Sequence, residues 1–311
     1  MEPAPFFDDV AEAPAGVKAV WVHANDTVRL RVAHWAKGDK GTVLLFPGRT
    51  EYIEKYGPAA ADLAARGYRT VTIDWRGQGL ADRLLADRAA GHVEDFLDYQ
   101  RDVAAVLEYV RQESLPGPYF LIGHSMGGCI GLRALHEGLP VRAAVFSAPM
   151  WGIRMMPVLR PLAWTVSTLA PIIGIAHKLV PGTSPVTYVL EAPFENNVLT
   201  RDADMYAFMQ RQLTAHPELA IGGPTLRWLH EALSETRTLA RMNAPDVPCV
   251  TILGRQERVV NVNSIHRQMK KWPGAGLDIV DDTEHEVMME GPAIRARFFD
   301  RAAAFFDNHQ N

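Results

Sequence analysis

A serine set between glycines, Gly123-His124-Ser125-Met126-Gly127-Gly128, follows the apolar run Phe120-Leu121-Ile122 and opens a helix-like segment. A G-x-S-x-G turn between a strand and a helix reverses the chain sharply. Small residues at Gly123 and Gly127 permit that reversal and leave the Ser125 hydroxyl exposed above a sheet. A serine hydroxyl is a poor nucleophile at neutral pH, so it needs a base within hydrogen-bond reach and an acid that orients the base. In such an architecture the order along the chain is serine, acid, histidine, with the last two on loops after late strands. His285, in Thr283-Glu284-His285-Glu286, lies just past the apolar run 277–280 and just before the last helical pattern, and no other histidine has that placement.

The acid is one of three carboxylates. The apolar run 249–253 leads into Gly254-Arg255-Gln256-Glu257-Arg258-Val259-Val260, where Glu257 would face the histidine unless it pairs with Arg255 or Arg258 instead. Asp281 and Asp282 sit on the loop of His285 itself and would have to fold back to reach it. A relay of this kind predicts hydrolysis that rises with pH through a group titrating at roughly 6 to 7.

Acyl transfer also needs two amide donors where the oxyanion of the tetrahedral intermediate develops, an effect worth several kcal/mol. One is the backbone N–H of Met126, directly after the nucleophile. The other is the N–H of Arg49 in Pro47-Gly48-Arg49-Thr50, after the apolar run 42–46, with Gly48 allowing close approach. The Arg49 side chain turns outward to a salt bridge or inward to a phosphate. Gly48, His124, Trp151 and Met155 are the candidates for touching substrate.

These residues require elements that hold them together. Extended segments at 18–23 and 27–35, joined by a turn at Asn25-Asp26, precede the continuous apolar strand 42–46, which reads as buried on both faces. Helical spacing at 56–66 and along 93–110, with strands at 69–74, 119–122 and 142–147 and a helix at 126–137, continues the alternation. It resumes with strands 249–253 and 277–280 and closes with a helix over 292–307. Strand and helix in turn indicate an α/β fold with a doubly wound, mostly parallel sheet of about eight strands.

Residues 150–235 break that rhythm and read as a helical cap or lid inserted between core parts 1–149 and 236–311. Pro157, Pro161, Pro171, Pro181, Pro185 and Pro193 cut the insertion into short pieces. Its first part, 150–182, carries Arg154, Arg160 and Lys178, no acidic residue, and much apolar bulk. Such a surface either meets lipid or packs as a lid over an apolar pocket.

Composition narrows the classes. A net charge of −4 gives no footprint for nucleic acid. The acidic N-terminal residues Glu2, Asp8 and Asp9 do not read as a secretory signal, and no apolar run reaches membrane-spanning length. Cys129 and Cys249 read as buried free thiols suited to a reducing cytoplasm. The expected location is the cytoplasm, either free or peripheral to the inner face of the membrane.

Taken in order, Phe46-Pro47-Gly48-Arg49-Thr50-Glu51, Lys55-Tyr56, Ile73-Asp74-Trp75-Arg76-Gly77-Gln78-Gly79, the Ser125 turn, Glu257-Arg258-Val259-Val260 and Glu284-His285-Glu286 resemble the α/β-hydrolases. The similarity is to the monoglyceride lipase and bacterial lysophospholipase branch, and it runs from residue 42 to the C-terminus, weakest in the lid. It implies catalytic roles for Ser125, Glu257 and His285, and an oxyanion hole from Arg49 and Met126. Pro47-Gly48 in place of His-Gly and Glu257 in place of Asp favour the bacterial lysophospholipases within that branch. Asp74 and Arg76 are expected to hold neighbouring loops. The expected activity is cleavage of one acyl chain from a monoacyl lipid, above all a lysophospholipid, through an acyl-serine and with no cofactor or metal. A monoacylglycerol lipase or general carboxylesterase, a lipid transacylase, and a lipid-binding protein without catalysis are the alternatives.

Overall fold

The computed structural model describes residues 1–156 and 158–310. Its strands are β1 (Glu2–Pro3), β2 (Val17–His23), β3 (Arg29–Trp35), β4 (Thr42–Phe46), β5 (Arg69–Asp74), β6 (Tyr119–His124), β7 (Ala144–Ser147), β8 (Cys249–Gly254) and β9 (Gly276–Val280). The helices are α1 (Asp8–Ala11), α2 (Gly57–Ala65), α3 (Asp98–Gln112), α4 (Ser125–His136), α5 (Leu159–Leu169), α6 (Tyr188–Glu191), α7 (Ala203–Ala215), α8 (Leu226–Leu239), α9 (Val262–Lys271) and α10 (Pro292–Asp307).

All strands join one sheet in the order β1-β2-β3-β5-β4-β6-β7-β8-β9. The pairs from β1 to β5 are antiparallel, and those from β5 across to β9 are parallel. β4 shows why the parallel part forms. Every residue of it is buried, because alternate side chains enter different layers. Leu44 and Phe46 join the layer of α3, α4, α8 and α9, while Val43 and Leu45 join that of α2, α7 and α10.

The register positions the chemistry. Phe46 pairs with Gly123, His124 with Ser147 and Gly254 with Val280, so the carboxyl ends of β4, β6, β8 and β9 open along one edge. Open α/β sheets bind ligands at that edge.

Several elements differ from the sequence-based expectation. The helix expected along 93–110 starts at Asp98, while Val93 and Phe96 are buried in irregular chain before it. α9, capped by the Asn261 side chain, was not anticipated, because it is short and mostly polar. The stretch 150–235 holds no strand among the described residues, but α7 and α8 are full-length helices, since the prolines cluster ahead of them. Pro157 lies outside the described residues. Pro161 falls in the first turn of α5, where no helical N–H is lost. α8 runs through residue 235, so the boundary expected there falls inside a helix whose Trp228, Ala232 and Leu239 join the core. Cys129 and Cys249 are free and buried. Among the described residues no helix is long and apolar enough to cross a membrane.

Candidate active site

At the end of β6 the chain turns into α4 through Ser125, whose φ of 47° is left-handed. For a residue other than glycine that conformation costs on the order of 1–2 kcal/mol and persists only where its surroundings enforce it. The glycines supply the room. A Cβ on Gly127 would lie 2.1 Å from the Phe46 carbonyl oxygen, and one on Gly128 would lie 2.6 Å from Pro149 Cβ. The helix can therefore start directly against β4, with its first-turn amides, Met126 among them, lacking intrahelical acceptors.

His285 follows β9 and Glu257 follows β8. Their side chains meet with Nδ1 2.6 Å from Oε2, which leaves Nε2 as the free end of the imidazole. The other Glu257 oxygen accepts the N–H groups of Val259 (2.5 Å) and Val260 (2.9 Å). Burial opposes the Glu257 charge, but His285 and these amides outweigh it and hold the carboxyl below its ordinary pKa. Burial likewise opposes protonation of His285, yet Glu257, with Glu286 and Glu51 nearby, raises its pKa above the ordinary 6.5.

The competing pairings are spent elsewhere. Arg255 binds Asp281 and Arg258 binds Glu284, while Asp282 is exposed at a φ of 52°. Glu257 is thus the carboxylate on the imidazole.

The loop after β4 is pinned from behind. Trp75 Nε1 donates to Pro47 O at 3.0 Å, Gln78 Nε2 donates to Gly48 O at 3.2 Å, and the Thr50 N–H donates to Gln78 Oε1 at 2.8 Å. The Gly48 N–H is taken by the Glu51 carboxylate. Because a trans peptide is planar, fixing the Gly48 carbonyl on one side points the Arg49 N–H the other way. Among the described residues that N–H has no acceptor.

Beneath this loop lies a buried ionic cluster. Lys55 Nζ sits 2.7 Å from Glu51 and 2.6 Å from both oxygens of Glu286, and the Tyr56 hydroxyl donates to Glu51. His124 Nε2 lies 3.5 Å from Glu51 and 3.7 Å from Glu286 with no hydrogen bond, and burial keeps its pKa low. Glu51, His124 and Glu286 converge closely enough to surround a cation, and the Lys55 ammonium fills that role.

Ser125 and His285 open into one cavity of about 370 Å³, walled mainly by apolar side chains such as Met150, Ile153, Val189, Leu199, Met209 and Trp228. The sequence had offered Gly48, His124, Trp151 and Met155 as substrate contacts, and none of the four lines this cavity. Gly48 and His124 are buried behind the loop and the elbow. Trp151 turns into the core, its indole N–H on Gly128 O and its ring against Phe146 and Trp272. Met155 lies beyond Ile153, the last residue of that stretch on the wall. The residues between 150 and 235 that do form the wall carried no signal beyond their apolarity, since their convergence is tertiary.

Among the described residues the Arg49 side chain makes no salt bridge. It turns inward, with Nη2 donating to Gly222 O at 2.6 Å and the guanidinium 5.2 Å from the Trp228 ring centroid.

The fold has α/β-hydrolase architecture, and the family match and the relatives together make the chain a carboxylic ester hydrolase. The serine aminopeptidase S33 family matches residues 37–292, and the chain belongs to that family. It is 32% identical over 298 residues to lysophospholipase L2 of Escherichia coli K12, covering 91% of this chain and 84% of that protein. It is 28% identical over 255 residues to a probable lysophospholipase L2 of Haemophilus influenzae, covering 81% and 79%. Among solved structures it shares its fold with a soluble variant of the monoglyceride lipase of Saccharomyces cerevisiae, with a TM-score of 0.74, 18% identity, and 99% and 100% of the two chains covered. A carboxyl esterase of Bacillus coagulans aligns with a TM-score of 0.76 at 15% identity, over 96% and 100% of the chains.

Proposed function

We propose that this protein is a lysophospholipase that cleaves the carboxylic ester of a monoacyl glycerophospholipid. Ser125 Oγ attacks the ester carbonyl while His285 Nε2 takes its proton, and the Arg49 and Met126 amides receive the oxyanion. His285 returns the proton to the departing glycerol oxygen. Water, activated by the same imidazole, then releases the fatty acid from the acyl-serine. Glu257 fixes the tautomer and supports the imidazolium. The observation that carries this reading is that His285, held from behind by Glu257, lines the same apolar cavity as the strained Ser125. The cavity suits a single acyl chain, and the two lysophospholipase relatives support the head-group class.

Residues 150–235 act in this reading as a lid that meets the membrane. Met156, Leu162, Ile172 and Ile173 are each 59% exposed or more, and exposed Arg154, Arg160 and Lys178 lie among them without an acidic partner in the stretch. α5 packs on α8 through Trp164 and Thr168 on His230 and the Arg237 guanidinium 5.7 Å from the Trp164 ring centroid.

The test is a fluorophosphonate probe with a panel of lysophosphatidylcholine, monoacylglycerol and p-nitrophenyl esters. Wild type should label and turn over the lysolipid fastest, and Ser125→Ala should neither label nor retain more than about 10⁻⁴ of wild-type kcat. Equal labelling of Ser125→Ala would remove Ser125 as nucleophile.

A further inference from the structure

Charge is unevenly satisfied around the cavity. Its charged or ionisable wall residues include Arg49, Glu51, Lys55, His285 and Glu286. Lys55 binds both Glu51 and Glu286, and His285 binds Glu257. Arg49 differs: among the described residues no carboxylate oxygen lies within 4.0 Å of it. Among the described residues the guanidinium's one hydrogen bond goes to the neutral Gly222 carbonyl, and its Nε is fully buried with no acceptor. Burial lowers the guanidinium pKa to about 10, which still leaves a full cation at neutral pH.

The chain is shaped around this group. A Cβ on Gly91 would sit 2.3 Å from Arg49 Nη2, so the neighbouring loop lies directly against the guanidinium. A desolvated cation without a counterion costs several kcal/mol, and its planar fork is matched to carboxylate or phosphate oxygens. The spans also agree. About five covalent bonds separate the Arg49 Cα from its guanidinium carbon, and about six separate the ester carbonyl carbon from phosphorus in a 1-acyl glycerophospholipid. One residue can therefore offer its amide to the oxyanion and its side chain to the head group of the same molecule.

We infer that the Arg49 guanidinium binds the phosphodiester of the substrate, and that preference for phosphate-bearing over uncharged monoacyl lipids resides in this side chain. The inference rests on the lysophospholipase reading above and names the group that selects the head group.

Arg49→Met and Arg49→Lys both keep the backbone N–H. The measurement is the ratio of kcat/KM for lysophosphatidylcholine to that for a monoacylglycerol of the same chain, both below their micellar concentrations. The ratio should fall at least tenfold in Arg49→Met, chiefly through KM for the lysolipid, and by less in Arg49→Lys. An unchanged ratio, with both substrates losing alike, would overturn the inference and leave the side chain as a brace between loop and lid. A wild type that hydrolyses both lipids equally well would also overturn it while leaving the esterase reading standing. A wild type that hydrolyses no ester would sink the esterase reading instead. Calorimetry on the unaltered protein decides independently of turnover and of how the variants fold. Dodecylphosphocholine should bind at least tenfold tighter than dodecyl maltoside, and equal affinities would refute the phosphate site.

Discussion

In the proposed relay the hydroxyl of Ser125 becomes a useful nucleophile only when the His285 imidazole is neutral, so the pKa of that imidazole would set the pH of action. Burial pushes it down, but Glu257 at 2.6 Å and the nearby Glu286 and Glu51 push it up further, above the ordinary 6.5. Turnover should therefore rise with pH through an inflection above 6.5. In Glu257→Gln the upward contribution is lost and burial remains, so the inflection of the residual activity should move to lower pH, with kcat reduced about 10³-fold or more. Rate profiles of kcat/KM against pH for both proteins measure this, and an inflection that does not move would exclude Glu257 as the partner. The sharp turn at Ser125 and the loop position of His285 were legible because a short motif and a place in the chain define each. Glu257 was legible only as one of three carboxylates, since the choice depends on Arg255 and Arg258 being engaged by Asp281 and Glu284.

The loop after β4 and the loop after β9 are separate pieces of chain joined by buried polar contacts. Gln78 holds the first by bonding both Gly48 O and the Thr50 N–H, which aims the Arg49 amide. Gln78→Ala should lower kcat about 10-fold to 100-fold with KM nearly unchanged, because the misplaced donor serves the transition state more than the bound ester. Steady-state kinetics on a p-nitrophenyl ester separate the two constants. Lys55 ties Glu51, which anchors the Gly48 N–H, to Glu286, which neighbours His285. Lys55→Met would leave two buried carboxylates facing each other and should destabilise the fold by about 3–5 kcal/mol at pH 7, read from urea unfolding. Burial opposes the Glu51 charge, yet Lys55 and His124 hold its pKa at about 2 against an ordinary 4.5. Its stabilising contribution is therefore complete above about pH 4.5 and fades as pH falls towards 2. The segment from Asp74 to Gly79 was expected to be structural, and Asp74 does bind Arg31 and the Ile53 and Leu80 amides. The role of Gln78 within it was not visible, because the spacing of the motif says nothing about which loop it touches.

Monoacyl lipids sit in bilayers or micelles, so in the proposed reading the face presented by residues 150–235 would govern access to the cavity. If residues 156–178 dock on anionic lipid, Ile172→Glu with Ile173→Glu should weaken sedimentation with phosphatidylglycerol vesicles more than tenfold, since each exposed isoleucine can contribute on the order of 1.5–3 kcal/mol when buried in acyl chains. Binding of the wild type should also fall as salt is raised, and turnover of vesicle-embedded substrate should suffer more than that of monomeric substrate. Wild-type binding that ignores both the substitutions and the salt would rule out this face. Local pattern by itself determined the alternation of strand and helix, the elbow at Ser125, the histidine before α10 and the strandless insertion, because apolar period, glycine placement and proline clustering are properties of neighbours in sequence. Only the tertiary structure decided that Gly48, His124, Trp151 and Met155 stand off the cavity, that Lys55 joins two loops, and that Arg49 turns inward without a carboxylate. Those outcomes depend on which distant groups compete for each charge and each donor, and that competition is settled by the register of the sheet and the packing of the lid.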